Sequence, residues 1–172
     1  MTPTYRDEDL ALIFDMDGVI IDSTAIHIEA WRLYLNSHGI EVPDLESRML
    51  GRHNDEIVRE FFPGGALTGD LVFSHGARKE QVYRNLIGAG VAAKLVPGIK
   101  EFLTHRCHLP MAIATNAEPA NVDFILDGAG IRDCFNAIVS GHDVERPKPF
   151  PDIYLRAASL LQAPPGRCIV FE

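Results

Sequence analysis

Two aspartates near the start of the chain have the spacing of a metal-supported reaction centre. The apolar run 10–14 predicts a buried parallel strand that is followed directly by Asp15 and Asp17. Open α/β sheets place their sites at the carboxyl ends of such strands, and Gly18 allows the backbone to turn sharply there. Two carboxylates this close repel each other, and a cation that prefers hard oxygen ligands, such as Mg²⁺, would offset the repulsion. The alternative is an Asp-rich turn that only ends the strand.

Two further predicted strands are followed by reactive or polar side chains at the same edge of the sheet. The second strand ends in Thr115 and is followed by Asn116, and the loop after the third strand holds Lys148 between two prolines. Together these groups suit phosphoryl transfer: a carboxylate attacks phosphorus, and Asp17 gives and later takes a proton. The lysine and the threonine hydroxyl, with a cation, would neutralise charge on the phosphoryl oxygens.

The pattern of elements predicts an α/β fold with a doubly wound parallel sheet. Strands alternate with helices after residue 92, which favours right-handed crossovers. Residues 23–92 contain helical patterns and no convincing strand, so we interpret them as an α-helical cap inserted over the site. The predicted domains are therefore a core of residues 1–22 and 93–172 and a cap of residues 23–92. The predicted strands are 10–14, 111–115, 136–140 and 168–171, and the predicted helices are 23–38, 43–50, 55–62, 69–89, 99–106, 119–127 and 152–161.

Composition excludes some classes of partner. The chain has 172 residues and a net charge of −8, which argues against a nucleic-acid binder or an anionic-membrane binder. No signal peptide and no membrane-spanning apolar stretch is visible. Three well-separated cysteines with no CxxC pair favour buried thiols in a reducing compartment, so we expect a cytoplasmic protein.

The order and spacing of four motifs resemble the haloacid dehalogenase-like hydrolase superfamily, and the match covers nearly the whole chain. Residues 15–23 (DMDGVIIDS) resemble the first motif, 114–116 (ATN) the second, 146–154 (RPKPFPDIY) the third, and 169–172 (IVFE) the start of the fourth. The resemblance implies a Rossmann-like core with a small α-helical cap, as in β-phosphoglucomutase-like and phosphoglycolate phosphatase-like members.

By this resemblance Asp15 is the nucleophile and Asp17 the general acid and base, and Mg²⁺ bridges Asp15 and the backbone carbonyl of Asp17. Thr115 and Lys148 complete the catalytic set. Dehalogenase and phosphonate-cleaving members lack the second aspartate, so its presence favours an oxygen leaving group. The substrate is then expected to be a small phosphorylated metabolite.

Candidate substrate-binding residues lie in both predicted domains: Gly18, His27, Arg52, Asn54 and Asn116. Arg52 and Asn54 belong to a cap loop that also holds His53, and a solvated turn is the alternative for this loop. For His27 a packed, hydrogen-bonded histidine is as plausible as a hinge or substrate contact, and Trp31 is interpreted as core.

The choice between phosphatase and phosphomutase depends on the cap. His27 and Trp31 stand where the phosphomutase-like group has them. The lysine that this group carries before its cap-loop glycine is replaced by Leu50, before Gly51. Without that cation a bis-phosphorylated intermediate would be held less firmly, so simple phosphomonoester hydrolysis is preferred.

The fourth motif is where the resemblance breaks. Its metal-binding aspartate would be the residue after Glu172, and the helix and strand that normally follow are also missing. We expect a fragment or a natural truncation in which Glu172 partly substitutes as a metal ligand and activity is impaired. A phosphomutase and a catalytically impaired binding or regulatory protein remain the alternative functions, and the oligomeric state is open.

Overall fold

The computed structural model describes residues 10–49, 52–62 and 67–172. Internal contacts divide the chain into two units, one formed by the chain up to Ser23 together with Gly90–Glu172 and the other by Thr24–Ala89. We call them the sheet unit and the helical unit. The sequence places the corresponding boundaries after residues 22 and 92.

The sheet unit contains strands and helices in alternation, and the helical unit contains helices. The strands are β1 (Ala11–Phe14), β2 (Met111–Thr115), β3 (Ala137–Ser140) and β4 (Cys168–Phe171). The helices are α1 (Thr24–Asn36), α2 (Leu45–Met49), α3 (Asn54–Phe61), α4 (Gly69–Ile87), α5 (Ile99–His105), α6 (Pro119–Ala129) and α7 (Asp152–Leu160). A 3₁₀ segment, Gly88–Lys94, follows α4.

The strands form a parallel sheet in the order β3-β2-β1-β4, which confirms the predicted Rossmann-like fold class. The chain first builds outward from β1 to β2 and β3, and then returns to place β4 on the other side of β1. The carboxyl ends of β1 and β4 therefore flank the point where the winding direction changes. Ligands of open α/β sheets bind in the crevice at such a point.

Successive side chains of the central strands point to opposite faces of the sheet, and both faces are buried. Ile13 faces the cluster that includes Ala112, Val139 and the α7 residue Ile153. The next residue, Phe14, packs instead among aromatic rings and is stacked on Phe171 of β4 with ring centroids 4.7 Å apart. Because both faces are covered, β1 is apolar throughout, as a parallel strand requires.

The helical unit has a core of its own. Trp31 of α1 packs with Ile57 and Val58 of α3 and with Val72 of α4, and it is almost fully buried. This agrees with the interpretation of Trp31 as a core residue. Amphipathic helices form here because their apolar residues recur at helical spacing and find a shared interior.

Several local predictions need correction. Gly128 does not break α6, which continues to Ala129 and ends at Gly130 with φ 63°. None of Cys107, Cys134 and Cys168, all in the described part of the chain, is fully buried, although all three are free thiols. The predicted role of Leu50 before Gly51 falls on residues outside those described. Within the described ranges, no helix combines the length and apolarity needed to cross a bilayer.

Candidate active site

The predicted site residues of the sheet unit follow the strands as expected. Asp15 comes directly after β1, Thr115 is the last residue of β2, and Glu172 comes directly after β4. The amide of Asp15 donates to the carbonyl of Phe171 at 2.9 Å, so the parallel ladder carries on past the end of β1. This backbone pairing brings the Asp15 and Glu172 positions to neighbouring points on one edge.

Lys148 joins the two carboxylates. Its Nζ lies 2.9 Å from Oδ1 of Asp15 and 2.9 Å from Oε2 of Glu172. The contact with Asp15 is an ion pair without hydrogen-bond geometry, since its buried Oδ1 has no hydrogen-bond partner among the described residues. Three residues from distant parts of the chain are thus brought together.

Burial and the ion pairs set the charges of this cluster. Burial raises the pKa of Asp15 above its ordinary value, although Lys148 opposes the shift. Burial by itself would lower the pKa of Lys148, but its contacts with Asp15 and Glu172 raise it instead. Lys148 therefore stays protonated at neutral pH and presents a fixed positive charge beside Asp15.

Asp17 lies in a tight turn that begins at the end of β1. Gly18 has φ 81° and its amide donates to the carbonyl of Ile21 at 2.8 Å, which closes the turn. The hydroxyl of Ser23 donates to Oδ1 of Asp17 at 2.6 Å. The side chain of Ser23, the residue directly before α1, therefore orients the second aspartate.

Thr115 and Asn116 have different local partners. The buried hydroxyl of Thr115 accepts from the amide of Ala117 at 3.2 Å, so its own proton remains to be donated. The side-chain amide of Asn116 donates to the carbonyl of Lys148 and accepts from the Lys148 amide, both at 3.2 Å. Asn116 therefore holds the backbone of Lys148, a positioning contact that the sequence does not reveal.

The loop that carries Lys148 is also held from its other end. Arg146 forms a bidentate pair with Asp152, the first residue of α7, at 2.7 and 2.9 Å. Tyr154 of the same helix donates its hydroxyl to Oε2 of Glu172 at 2.5 Å. The third motif contains Arg146, Asp152 and Tyr154, but only the coordinates reveal that Arg146 and Tyr154 form these contacts at its two ends.

The donor set at this edge fits a hard divalent cation. Asp15 and Glu172 supply carboxylate oxygens, and Asp17 can supply its backbone carbonyl, which are the ligands that Mg²⁺ prefers. The buried Oδ1 of Asp15 has the ammonium of Lys148 as its charged neighbour at 2.9 Å. No group of three His, Cys, Asp or Glu side chains in the described ranges forms a metal cluster, so the set depends on a backbone oxygen.

Two predicted residues of the helical unit meet at a buried ion pair. Lys79 and Glu80 of α4 are 2% and 4% exposed, and Nζ of Lys79 donates to Oε1 of Glu80 at 2.7 Å. Asn54 donates to the same oxygen at 2.7 Å, and Lys79 also donates to Nδ1 of His27 at 3.0 Å. Because an ammonium is only a donor, neutral His27 must carry its proton on Nε2. Its ring stacks on Tyr83 with centroids 4.0 Å apart.

Arg52 lies in a separate, exposed cluster. It pairs with Glu56 at 3.6 Å and with Glu60, which also pairs with Arg48. The side chain of Arg52 therefore has different partners from those of His27 and Asn54. An arginine held by two exposed carboxylates can exchange them for an anionic group at small cost.

Known proteins are similar to this chain over most of its length. A family model described as a haloacid dehalogenase-like hydrolase matches residues 10–172. The fructose-1-phosphate phosphatase YqaB of Escherichia coli K12 is 31% identical over 163 residues, which cover 94% of this chain and 85% of that protein. The β-phosphoglucomutase of Bacillus subtilis is 32% identical over 171 residues, which cover 94% and 74% of the two chains.

A solved structure supports the same relationship. The crystal structure of β-phosphoglucomutase from Clostridium difficile has a TM-score of 0.79 and 25% sequence identity to this chain. The match covers 94% of this chain and 75% of that one.

Proposed function

The chain belongs to the haloacid dehalogenase-like hydrolase family, and on that premise we propose that it is a Mg²⁺-dependent phosphatase of a small phosphorylated metabolite. The observation that carries the proposal is Lys148, which lies 2.9 Å from both Asp15 and Glu172 at the carboxyl ends of β1 and β4. A fixed cation between a candidate nucleophile and a second carboxylate suits the transfer of an anionic phosphoryl group. Relatives named as phosphatases support the same class of reaction.

Asp15 acts as the nucleophile in the proposed reaction. One of its oxygens forms a bond to phosphorus while the bond between phosphorus and the leaving oxygen breaks, which gives an aspartyl phosphate. Asp17, oriented by Ser23, donates a proton to the leaving oxygen and then accepts one from the water that hydrolyses the acyl phosphate. Phosphate leaves and Asp15 is regenerated.

Lys148 and Thr115 bind the charged phosphoryl oxygens in both steps. The lysine supplies a full positive charge, and the Thr115 hydroxyl supplies a hydrogen bond. Mg²⁺, held by Asp15, Glu172 and the carbonyl of Asp17, would add further positive charge that offsets repulsion between the carboxylates and the phosphate. Asn116 contributes by fixing the Lys148 backbone.

The residues of the helical unit are proposed to select the substrate. His27, Asn54 and Arg52 remain the candidates for contacts with its organic part, and Gly18 for a backbone contact. Thr24–Ala89 would then act as a cap domain. Three free cysteines are typical of a reducing compartment, and we propose a cytoplasmic location on that basis.

A phosphomutase is the second candidate, because a β-phosphoglucomutase is among the similar structures. The two reactions differ in the fate of the aspartyl phosphate, which passes to water in a phosphatase and to a sugar phosphate in a mutase. Formation of an isomer that requires a sugar bisphosphate activator would favour the mutase.

The deciding experiment measures phosphate release from a panel of phosphomonoesters with Mg²⁺ and with EDTA. We expect Mg²⁺-dependent release that falls by at least about 10³-fold in Asp15→Asn, because the amide cannot act as the nucleophile. Asp133→Asn is the matched control, since this exposed aspartate lies outside the site. Equal activity of Asp15→Asn and wild type would contradict the proposal.

A further inference from the structure

Tyr154 contacts both charged partners of the Lys148–Glu172 ion pair. Its hydroxyl donates to Oε2 of Glu172 at 2.5 Å, and its ring centroid lies 5.2 Å from Nζ of Lys148. Lys148 Nζ donates to the same Glu172 oxygen at 2.9 Å. One carboxylate oxygen is thus fixed by two donors, and neither bond uses Oε1.

The position of Tyr154 is fixed by the contacts of α7, the helix that carries it. Ile153, the preceding residue, is fully buried against the sheet. Asp152 at the start of α7 is tied to Arg146 by a bidentate pair. Tyr154 itself is half-buried, and a phenol ordinarily loses its proton only at about pH 10. It is therefore a donor across the neutral pH range.

A glutamate side chain has several rotamers, and a metal that binds Glu172 must order that side chain first. A hydrogen bond that restricts the carboxylate beforehand lowers this cost.

We infer that Tyr154 is a positioning residue that holds Glu172 ready for a divalent cation and keeps Lys148 beside Asp15. The inference rests on the proposed function, because it takes Glu172 as a metal-binding carboxylate of that site. The phenol acts on Oε2 and leaves Oε1 for the cation, while the ring supports the lysine by a cation–π contact.

The test is the affinity for Mg²⁺ of the substrate-free 172-residue chain, measured by calorimetric titration with MgCl₂. In Tyr154→Phe we expect the dissociation constant to rise by about tenfold, since a group that orients a metal ligand is lost while the ring remains. At saturating Mg²⁺ the KM for the phosphorylated substrate should be unchanged. Tyr34→Phe is the matched control, because it removes one tyrosine hydrogen bond, to His75, within the helical unit.

The outcomes of the Mg²⁺ titration distinguish failure of this inference from failure of the proposed function. Weaker Mg²⁺ binding in Tyr154→Phe and unchanged binding in Tyr34→Phe support the inference. Unchanged or tighter Mg²⁺ binding in an active Tyr154→Phe overturns the inference and leaves the proposed function standing. A wild-type chain that neither binds Mg²⁺ nor releases phosphate overturns both.

Discussion

Glu80 and Lys79 are adjacent residues of α4, and both side chains are almost fully excluded from water. Their ion pair is extended by Asn54 and His27, so each charged atom has more than one polar neighbour. Burial by itself would raise the pKa of Glu80, but Lys79, His27 and Asn54 bring it below its ordinary value. The carboxylate is therefore ionised, and it ties the start of α3 to α4.

Replacing Glu80 by glutamine should destabilise the helical unit. The change keeps the shape but leaves Lys79 as a buried cation without its counter-charge, which costs about 3 kcal/mol. The stability from the ionised carboxylate is complete above the ordinary pKa of 4.5 and is lost as the pH falls below it towards the lowered folded pKa. Chemical unfolding of both proteins at pH 7 and pH 4 measures this, and we expect the difference between them to shrink at the lower pH.

Glu29→Gln provides the control for the Glu80 variant. Glu29 also pairs with a cation, Arg32, but both side chains of that pair are exposed. Exposed pairs contribute little, so its loss should change the free energy of unfolding by less than about 0.5 kcal/mol at either pH. Equal effects of the two substitutions would show that burial of Lys79 and Glu80 does not matter.

At the residue scale the sequence predicts the functional side chains that lie at strand ends. It does not predict contacts between side chains that are far apart in the chain. Asp15, Thr115 and Lys148 are predictable because strand ends and motif spacing mark them. Lys79 and Glu80 look like ordinary surface residues of an amphipathic helix, since only packing of α4 against its neighbours shows that they are buried. The bond from Tyr154 to Glu172 spans 18 positions and has no local signal either.

At the element scale the boundaries of α6 show how packing overrides a local rule. Glycine disfavours helix interiors, so the sequence predicts a break at Gly128. The helix continues because Gly128 faces Val91, and a Cβ built there would lie 2.8 Å from Cγ2 of that valine. The glycine is thus needed for close approach, while Gly130, with φ 63°, ends the helix.

Gly128→Ala should destabilise the sheet unit although alanine is the better helix former. The helix gains about 1 kcal/mol from propensity, but overpacking against a buried, β-branched side chain costs about 1–3 kcal/mol. We expect a net loss in the free energy of unfolding measured with urea. In a Val91→Ala background the same substitution should cost less or become neutral, because the 2.8 Å contact with Cγ2 is gone and only the 3.2 Å approach to Cβ remains. Stabilisation by Gly128→Ala in both backgrounds would contradict this account.

Most other elements of the chain are predictable in type and approximate extent. Apolar runs that end in Gly, Pro or polar residues identify all four strands of the sheet, and helical spacing identifies α1, α4 and α7. Their ends differ from the predicted ones by at most two residues, since capping depends on side-chain partners. Ser23, directly before α1, illustrates this, because its hydroxyl donates a hydrogen bond to Asp17.

At the scale of the whole molecule, strand order decides where the charges meet. The order β3-β2-β1-β4 places Asp15 and Glu172 on neighbouring strands although the chain separates them by more than 150 residues. Alternation of strands and helices predicts the parallel sheet, whereas the position of β4 beside β1 follows from the family resemblance. This strand order therefore places the carboxylates of Asp15 and Glu172 at neighbouring positions in a chain whose net charge is already −8.

A cation that binds only the folded chain must therefore raise its stability. At a Mg²⁺ concentration of 100 times the dissociation constant, linkage adds about 2.7 kcal/mol to the free energy of unfolding, or about 5–10 °C in Tm for a chain of this size. Thermal scans at increasing MgCl₂, with NaCl at matched ionic strength, measure the gain apart from general screening of surface charge. In Asp15→Asn the Mg²⁺-specific part should vanish, since a hard carboxylate ligand is lost, while Asp133→Asn should keep it. An equal Mg²⁺ shift in Asp15→Asn would show that the cation does not depend on the Asp15 carboxylate and would contradict this prediction.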